Sequence, residues 1–155
     1  MEAVGRTHRK PILPPAYLAA ALLAMLLVHF AAPMWHVIAF PASLLGLVPI
    51  AAGVTLNVLA DRTFKSHDTT VKPFERSRRL VTDGVFARSR HPMYLGMVLI
   101  AGGVAVLLGT ILPFVVVLAF AVWLDVRFIS AEERMLAETF GTSWQCYRKR
   151  VRRWL

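Results

Sequence analysis

Two short runs in this chain hold residue types from which a polar site is built. One reads Arg88-Ser89-Arg90-His91-Pro92-Met93-Tyr94-Leu95-Gly96. The other is Glu132-Glu133-Arg134, with Asp125 and Arg127 a few residues ahead of it. Guanidinium, imidazole, phenol and carboxylate groups together suit ion pairing and hydrogen bonding with a charged small molecule. Each also has a plainer reading. His91-Pro92 starts a helix, because proline suits the first helical position. Glu132, Glu133 and Arg134 make a solvated helix end. Asp125 and Arg127 pair structurally at a membrane boundary, where unpaired charge is costly, or they serve a ligand. Adjacent helix positions point about 100° apart, so the two Glu cannot face one pocket equally, and one is expected to support the other. The single cysteine, Cys146, has no partner for an internal disulfide and no Cys or His at metal-ligand spacing. No metal site is expected.

The elements that must position these residues are apolar helices. Of 155 residues, 17% are charged, against about a quarter in a soluble domain. No Asp, Glu, Lys or Arg occurs from Pro11 to Ala60 or from His91 to Leu124. A spanning helix takes about 20 apolar residues, so the first stretch holds two crossings and the second two short ones. The expected spans are 13–32, 35–60, 92–108 and 111–129. Pro14 and Pro15 suit the first turn of span one, and Pro33 ends it. Pro41 and Pro49 are expected to kink span two. The helix of span four is expected to continue through Glu132, Glu133 and Leu136 to Phe140 and to stop at Gly141. Beyond it, Trp144, Tyr147, Val151 and Trp154 share one helical face, with Arg148, Lys149, Arg150, Arg152 and Arg153 around the rest. That pattern predicts an amphipathic helix in the interface of an anionic leaflet. The fold class is therefore an all-α polytopic membrane bundle of about four spans plus this helix, as one domain over 1–155.

All eighteen Lys and Arg fall in three places: the N-terminal tail, the Asp61–Arg90 stretch, and the region after Leu124. Four crossings put these on one side, and the positive-inside rule makes that side cytoplasmic, with both termini. The net charge of +9 is then a lipid-facing feature, with Arg76–Arg79 touching lipid phosphates, rather than a nucleic-acid footprint. A cleaved signal peptide fits the basic N-terminus less well, because the apolar run continues without a small-x-small cleavage site. His29 and His36 read as packing or outer-interface residues, and Trp123 as part of the interfacial aromatic belt.

Arg90-His91-Pro92-x-Tyr94-x-Gly96, followed about forty residues later by Glu132-Glu133-Arg134-x-Leu136, resembles the isoprenylcysteine carboxyl methyltransferase and phospholipid methyltransferase superfamily. Asp68–Pro73, Leu80–Gly84, Phe140-Gly141 and the ending Tyr147…Val151–Leu155 are similar to small prokaryotic members. The resemblance covers about residues 66 to 155. It departs from the family at Phe86-Ala87-Arg88, where an aromatic-Arg-Tyr run is common, and at Trp144, where Tyr is common.

The resemblance implies methyl transfer from S-adenosylmethionine in a bacterial inner membrane. Arg90, His91, Pro92, Tyr94, Leu95 and Gly96 would form the cofactor pocket, with Glu132 and Glu133 opposite. A carboxylate of that pair would meet the cofactor's ammonium. An arginine or a helix N-terminus would take its carboxylate. Gly96 would leave room for the ligand or for another helix. Arg127, with Glu133, is the expected catalytic residue, Arg127 orienting an acceptor carboxylate. The implied acceptor is lipid-like or prenylated and enters sideways between helices. Carboxyl methylation leads. A phospholipid amine acceptor is the alternative, and it needs a base that the sequence does not name. A sterol-reductase-like enzyme using NADPH would carry Asn where Met93 stands. A non-catalytic scaffold would bind neither cofactor.

Overall fold

The computed structural model describes residues 14–32, 35–66 and 80–155. The basic N-terminal residues, Pro33 at the expected end of span one, the Asp68–Pro73 match and the Arg76–Arg79 cluster lie outside them. Five α-helices make the fold: α1 (Pro14–Ala31), α2 (Leu47–Ser66), α3 (Pro92–Leu108), α4 (Ile111–Leu124) and α5 (Ser130–Arg150). Short 3-10 segments cover Ala42–Gly46 and Gly84–Ala87, and Asp125–Ile129 winds as a π-helix that joins α4 to α5.

Three stretches are long and apolar enough to cross a membrane, namely Pro14–Ala31, Ala42–Ser66 and Ile111–Arg150, and α3 is a shorter apolar helix. The protein is an integral membrane helix bundle. Its lipid side is visible in exposed Leu23, Leu27 and Phe30 on α1 and Val48 and Val54 on α2. In a bilayer such side chains need no protein cover, whereas the backbone must satisfy itself, which helices do.

Helix α3 is the centre. It packs against α2 on one side and against α1 and α4 on the other. Met25, Ala101, Ala105, Leu124 and Ile129 are fully enclosed between these helices. Away from the basic residues, the end of α1 is tied to the α3–α4 turn. The His29 ring nitrogen Nδ1 lies 2.9 Å from the Thr110 hydroxyl, and the Val37 and Ile38 N–H groups donate to the Gly109 carbonyl. Gly109 stands at φ 68° as the C-terminal cap of α3.

Span two differs from expectation at both ends. Residues 35–41 are not helical, because the backbone at 37 and 38 bonds across to Gly109, and the helical course starts only after Pro41. It passes Pro49 in the first turn of α2, where a proline costs little. It then runs six residues past Ala60 to Ser66, where Lys65 donates to Asp61 one turn back at 2.6 Å.

From Ile111 the helical course runs unbroken to Phe140, about 45 Å at 1.5 Å per residue, which is longer than a bilayer core and carries Glu132 and Glu133 past the apolar run. Gly141 breaks the helical path at φ 48° and ψ −116°, and a second helical stretch follows. Its apolar face is turned inward on the protein rather than toward lipid. Trp144, Tyr147 and Val151 are buried with Leu80, Leu136 and Phe140 around them. Arg148, Lys149, Arg150 and Arg152 remain exposed and available to an anionic surface.

Candidate functional site

Pro92 at the first position of α3 makes His91 the residue before the helix, with φ −130°. A residue before proline avoids the helical region, so the chain turns there and aims the imidazole across the bundle end. The His91 N–H donates to Ser89 Oγ at 3.2 Å, which steadies that turn. The opposing wall is the first turn of α5. Glu133 Oε1 accepts from His91 Nε2 at 3.4 Å and pairs with Arg90 Nη2 at 2.8 Å. A carboxylate only accepts, so Nε2 carries the hydrogen.

Arg153 completes the cluster. Its Nε donates to Glu133 Oε1 at 3.3 Å and its Nη2 to Oε2 at 2.5 Å, while Nη1 reaches Asp125 Oδ2 at 3.0 Å. Four donors thus converge on the Glu133 carboxylate, three on Oε1 and one on Oε2. Burial alone would raise its pKa. The hydrogen bonds from His91 and Arg153 and the charge of Arg90 outweigh that and bring it down to about 2.

The π-helical turn explains how one guanidinium reaches both acids. In an unbroken α-helix, Asp125 and Glu133 would stand about 80° apart around the axis. One extra residue in a turn brings them within about 20°.

Arg90 is a clamp as well as a partner. Its Nη1 donates to the carbonyls of Arg148 and Val151 at 3.0 and 3.2 Å, and its N–H donates to Arg152 O at 3.0 Å. Its guanidinium lies 5.7 Å over the Trp144 ring. These bonds cap the end of α5 and hold the tail against the Arg-His-Pro turn. The Tyr147 hydroxyl adds a 2.7 Å bond to Phe86 O, and burial pushes that phenol's pKa up. Arg90 Nε is buried without a partner among the described residues.

Glu132 is placed differently from its neighbour. Its side chain is 29% exposed, with Oε2 3.9 Å from His91 Nδ1. Tyr94, in the first turn of α3, has its ring 5.8 Å from the His91 ring and its hydroxyl near enough to Glu132 to feel its charge.

The structure therefore brings together Arg90, His91, Tyr94, Glu132 and Glu133, with Pro92 buried beneath them. It does not bring in three other expected residues. Gly96 faces α2, where an added Cβ would meet Asn57 Nδ2 at 2.5 Å and the Gly53 carbonyl at 2.8 Å, so helix packing explains it. Leu95 is half-buried outside the apolar clusters. Arg127 is exposed on the outer side of the π-helical turn and makes no hydrogen bond or ion pair among the described residues. Residues 127 and 133 are six apart, which on a helix points them to different faces.

Sequence reasoning missed Arg153, Ser89 and the inward role of Trp144 and Tyr147. The tail's basic and aromatic alternation reads equally well as a membrane surface, and nothing in it reports that the chain folds back. A separate groove of about 530 Å³ runs past Thr82, Thr142, Ser143, Cys146, Tyr147 and Arg150, and it contains none of the expected site residues.

Three comparisons relate the chain to known proteins. The family model for phospholipid methyltransferase matches residues 41–143. The protein-S-isoprenylcysteine O-methyltransferase of Schizosaccharomyces pombe is 44% identical over 75 residues, which is 46% of this chain and 30% of the relative. The solved structure of a eukaryotic intramembrane Ras methyltransferase, an isoprenylcysteine carboxyl methyltransferase, superimposes with a TM-score of 0.65 at 26% identity. It covers 88% of this chain and 50% of its own. The chain thus spans half or less of the length of these relatives.

Proposed function

Because the chain belongs to the phospholipid methyltransferase family, we propose that it transfers a methyl group from S-adenosylmethionine to a carboxylate on a lipid-like acceptor. The observation that supports this most is the joining of His91, Arg90 and Glu133 at the polar end of the bundle, with Glu132 and Tyr94 beside them. The carboxyl acceptor is inferred from the two isoprenylcysteine methyltransferases that the chain resembles. The three groups of basic residues argue for a cytoplasmic site and cytoplasmic termini.

The residues present fit the cofactor. Its ammonium needs a carboxylate with acceptor positions to spare. Glu133 is buried and already held by four donors, whereas Glu132 is partly exposed beside an imidazole and a phenol. Glu132 is therefore the ligand for the ammonium, and Glu133 is the hub that assembles Arg90, His91 and Arg153. An anionic group needs a free donor, and the unpartnered Arg90 Nε is one. S-Adenosylmethionine, when bound, supplies an electrophilic methyl on a sulfonium.

The protein's own part is positioning. An ionised carboxylate acceptor is already nucleophilic, so the site requires no side-chain base. It must hold the reactants in line and exclude water. The buried imidazole, the enclosed Arg90 and the inward-facing Trp144 and Tyr147 make a wall that does so.

Purified protein in detergent is expected to bind S-adenosylmethionine and not NADPH by calorimetry. Labelled S-adenosylmethionine on host membrane extract is expected to yield a base-labile methyl ester on a lipid-soluble or prenylated product. Binding of NADPH alone, or a base-stable methylamine product, would replace the reading.

A further inference from the structure

The cations around the cluster are not equivalent. Arg90 is enclosed, its side chain 7% exposed, with both of its terminal nitrogens engaged. Arg88, Arg127, Arg134, Arg148 and Arg152 are exposed. Arg153 lies between these extremes at 34% exposure, with one edge on the buried Glu133 and Nη1 on Asp125, itself 30% exposed. Asp125 is the first residue after α4, where the apolar run ends, so this guanidinium sits at the level where the bundle turns from apolar to polar. The next residue, Trp154, packs against the main apolar cluster. A cation and an apolar lining thus adjoin at one place on the rim.

Resting on the carboxyl-acceptor reading above, we infer that Arg153 is the acceptor-binding cation of this site. Its edge on Glu133 stays in place, and Nη1 exchanges Asp125 for the carboxylate of an amphipathic acceptor whose tail lies along the Trp154 side. The two limbs differ in how easily they yield. Glu133 is buried and held by four donors, and removing one partner of such a pair is costly. The Arg153–Asp125 limb is about a third exposed to solvent, which weakens an ion pair, and Asp125 can be hydrated once released. Arginine suits the task because its planar fork can hold one carboxylate while presenting a second edge to another. Arg153 thus takes the role that the sequence suggested for Arg127.

The test uses full-length protein in lipid nanodiscs and two probes, S-farnesyl-N-acetylcysteine and its primary amide, with binding measured directly. The wild type is expected to favour the acid over the amide by about tenfold or more, the size of a charge-assisted hydrogen bond. Arg153→Ala is expected to abolish that preference while S-adenosylmethionine affinity stays within about threefold. Asp125→Asn removes only the competing limb and is expected to tighten the acid and not the amide. A wild type with no preference, an Arg153→Ala protein that keeps it, or an Asp125→Asn protein that binds the acid no better overturns the assignment. Should Arg153→Ala not fold, Asp125→Asn alone decides. The function reading is scored separately, by methyl ester formation on the same acid. Acid preference without ester formation would keep Arg153 as a carboxylate site and reject the transferase.

Discussion

Gly53 of α2 and Gly96 of α3 meet backbone to backbone. A methyl group on Gly53 would lie 2.4 Å from the Gly96 carbonyl oxygen, and one on Gly96 would lie 2.8 Å from the Gly53 carbonyl oxygen. Gly46 and Gly103 repeat the contact at the same spacing, with added Cβ atoms 2.3 and 2.4 Å from the opposing carbonyls. Close approach through small residues is a main source of helix association in a bilayer, where burial of apolar surface gives none. It locks α3, and with it the His91 turn, onto α2, the helix it contacts most extensively.

Gly96→Ala is accordingly expected to destabilise the protein by about 1–3 kcal/mol or to prevent its folding, since the neighbour is backbone and cannot give way. Gly102→Ala, on the same helix but with nothing within 4 Å of the added carbon, is the control and should be neutral. Thermal melting in detergent reads both.

The two adjacent acids are expected to separate by phenotype. Glu132→Gln should weaken S-adenosylmethionine binding by about tenfold, the cost of one charge-assisted bond, with an unchanged melting temperature. Glu133→Ala should cost on the order of 3 kcal/mol of stability, because it strands Arg90 in a buried site. Equal effects on stability and on cofactor affinity for both variants would contradict the division of labour.

Glu133 also sets an acid limit. Its carboxyl falls from an ordinary 4.5 to about 2 in the folded protein. A depressed folded pKa means that its contribution is complete above about 4.5 and is lost as pH falls from there towards 2. Melting temperature measured against pH should decline through this window in the wild type. The decline should be shallower in Glu133→Gln, which has no proton to take up.

Arg127→Ala is expected to change turnover and acceptor affinity less than about threefold, the modest effect of a surface charge without a partner. Steady-state kinetics with the acid acceptor reads this. A large rise in acceptor KM would return the acceptor role to Arg127 and remove it from Arg153.

What the linear chain determined by itself was the medium and the meeting point. Two charge-free stretches, each long enough for more than one crossing or for short ones, point to a membrane bundle. Four helices of that length then bring the starts of α3 and α5 to the same end. The pairing of the His91 turn with the Glu132-Glu133 turn was legible because both flank apolar helices whose ends are marked by Pro92 and Asp125. The tertiary structure decided the roles within that meeting. Which Glu is enclosed depends on the helix phase, and one π-helical turn resets that phase without any sign in residue type. Gly96 looks the same whether it makes room for a ligand or for a helix, and only the position of α2 distinguishes them. The tail was ambiguous for the same reason. An aromatic and basic face suits lipid or protein equally, and only the break at Gly141 and the bonds from Arg90 turn it inward and deliver Arg153 to the site.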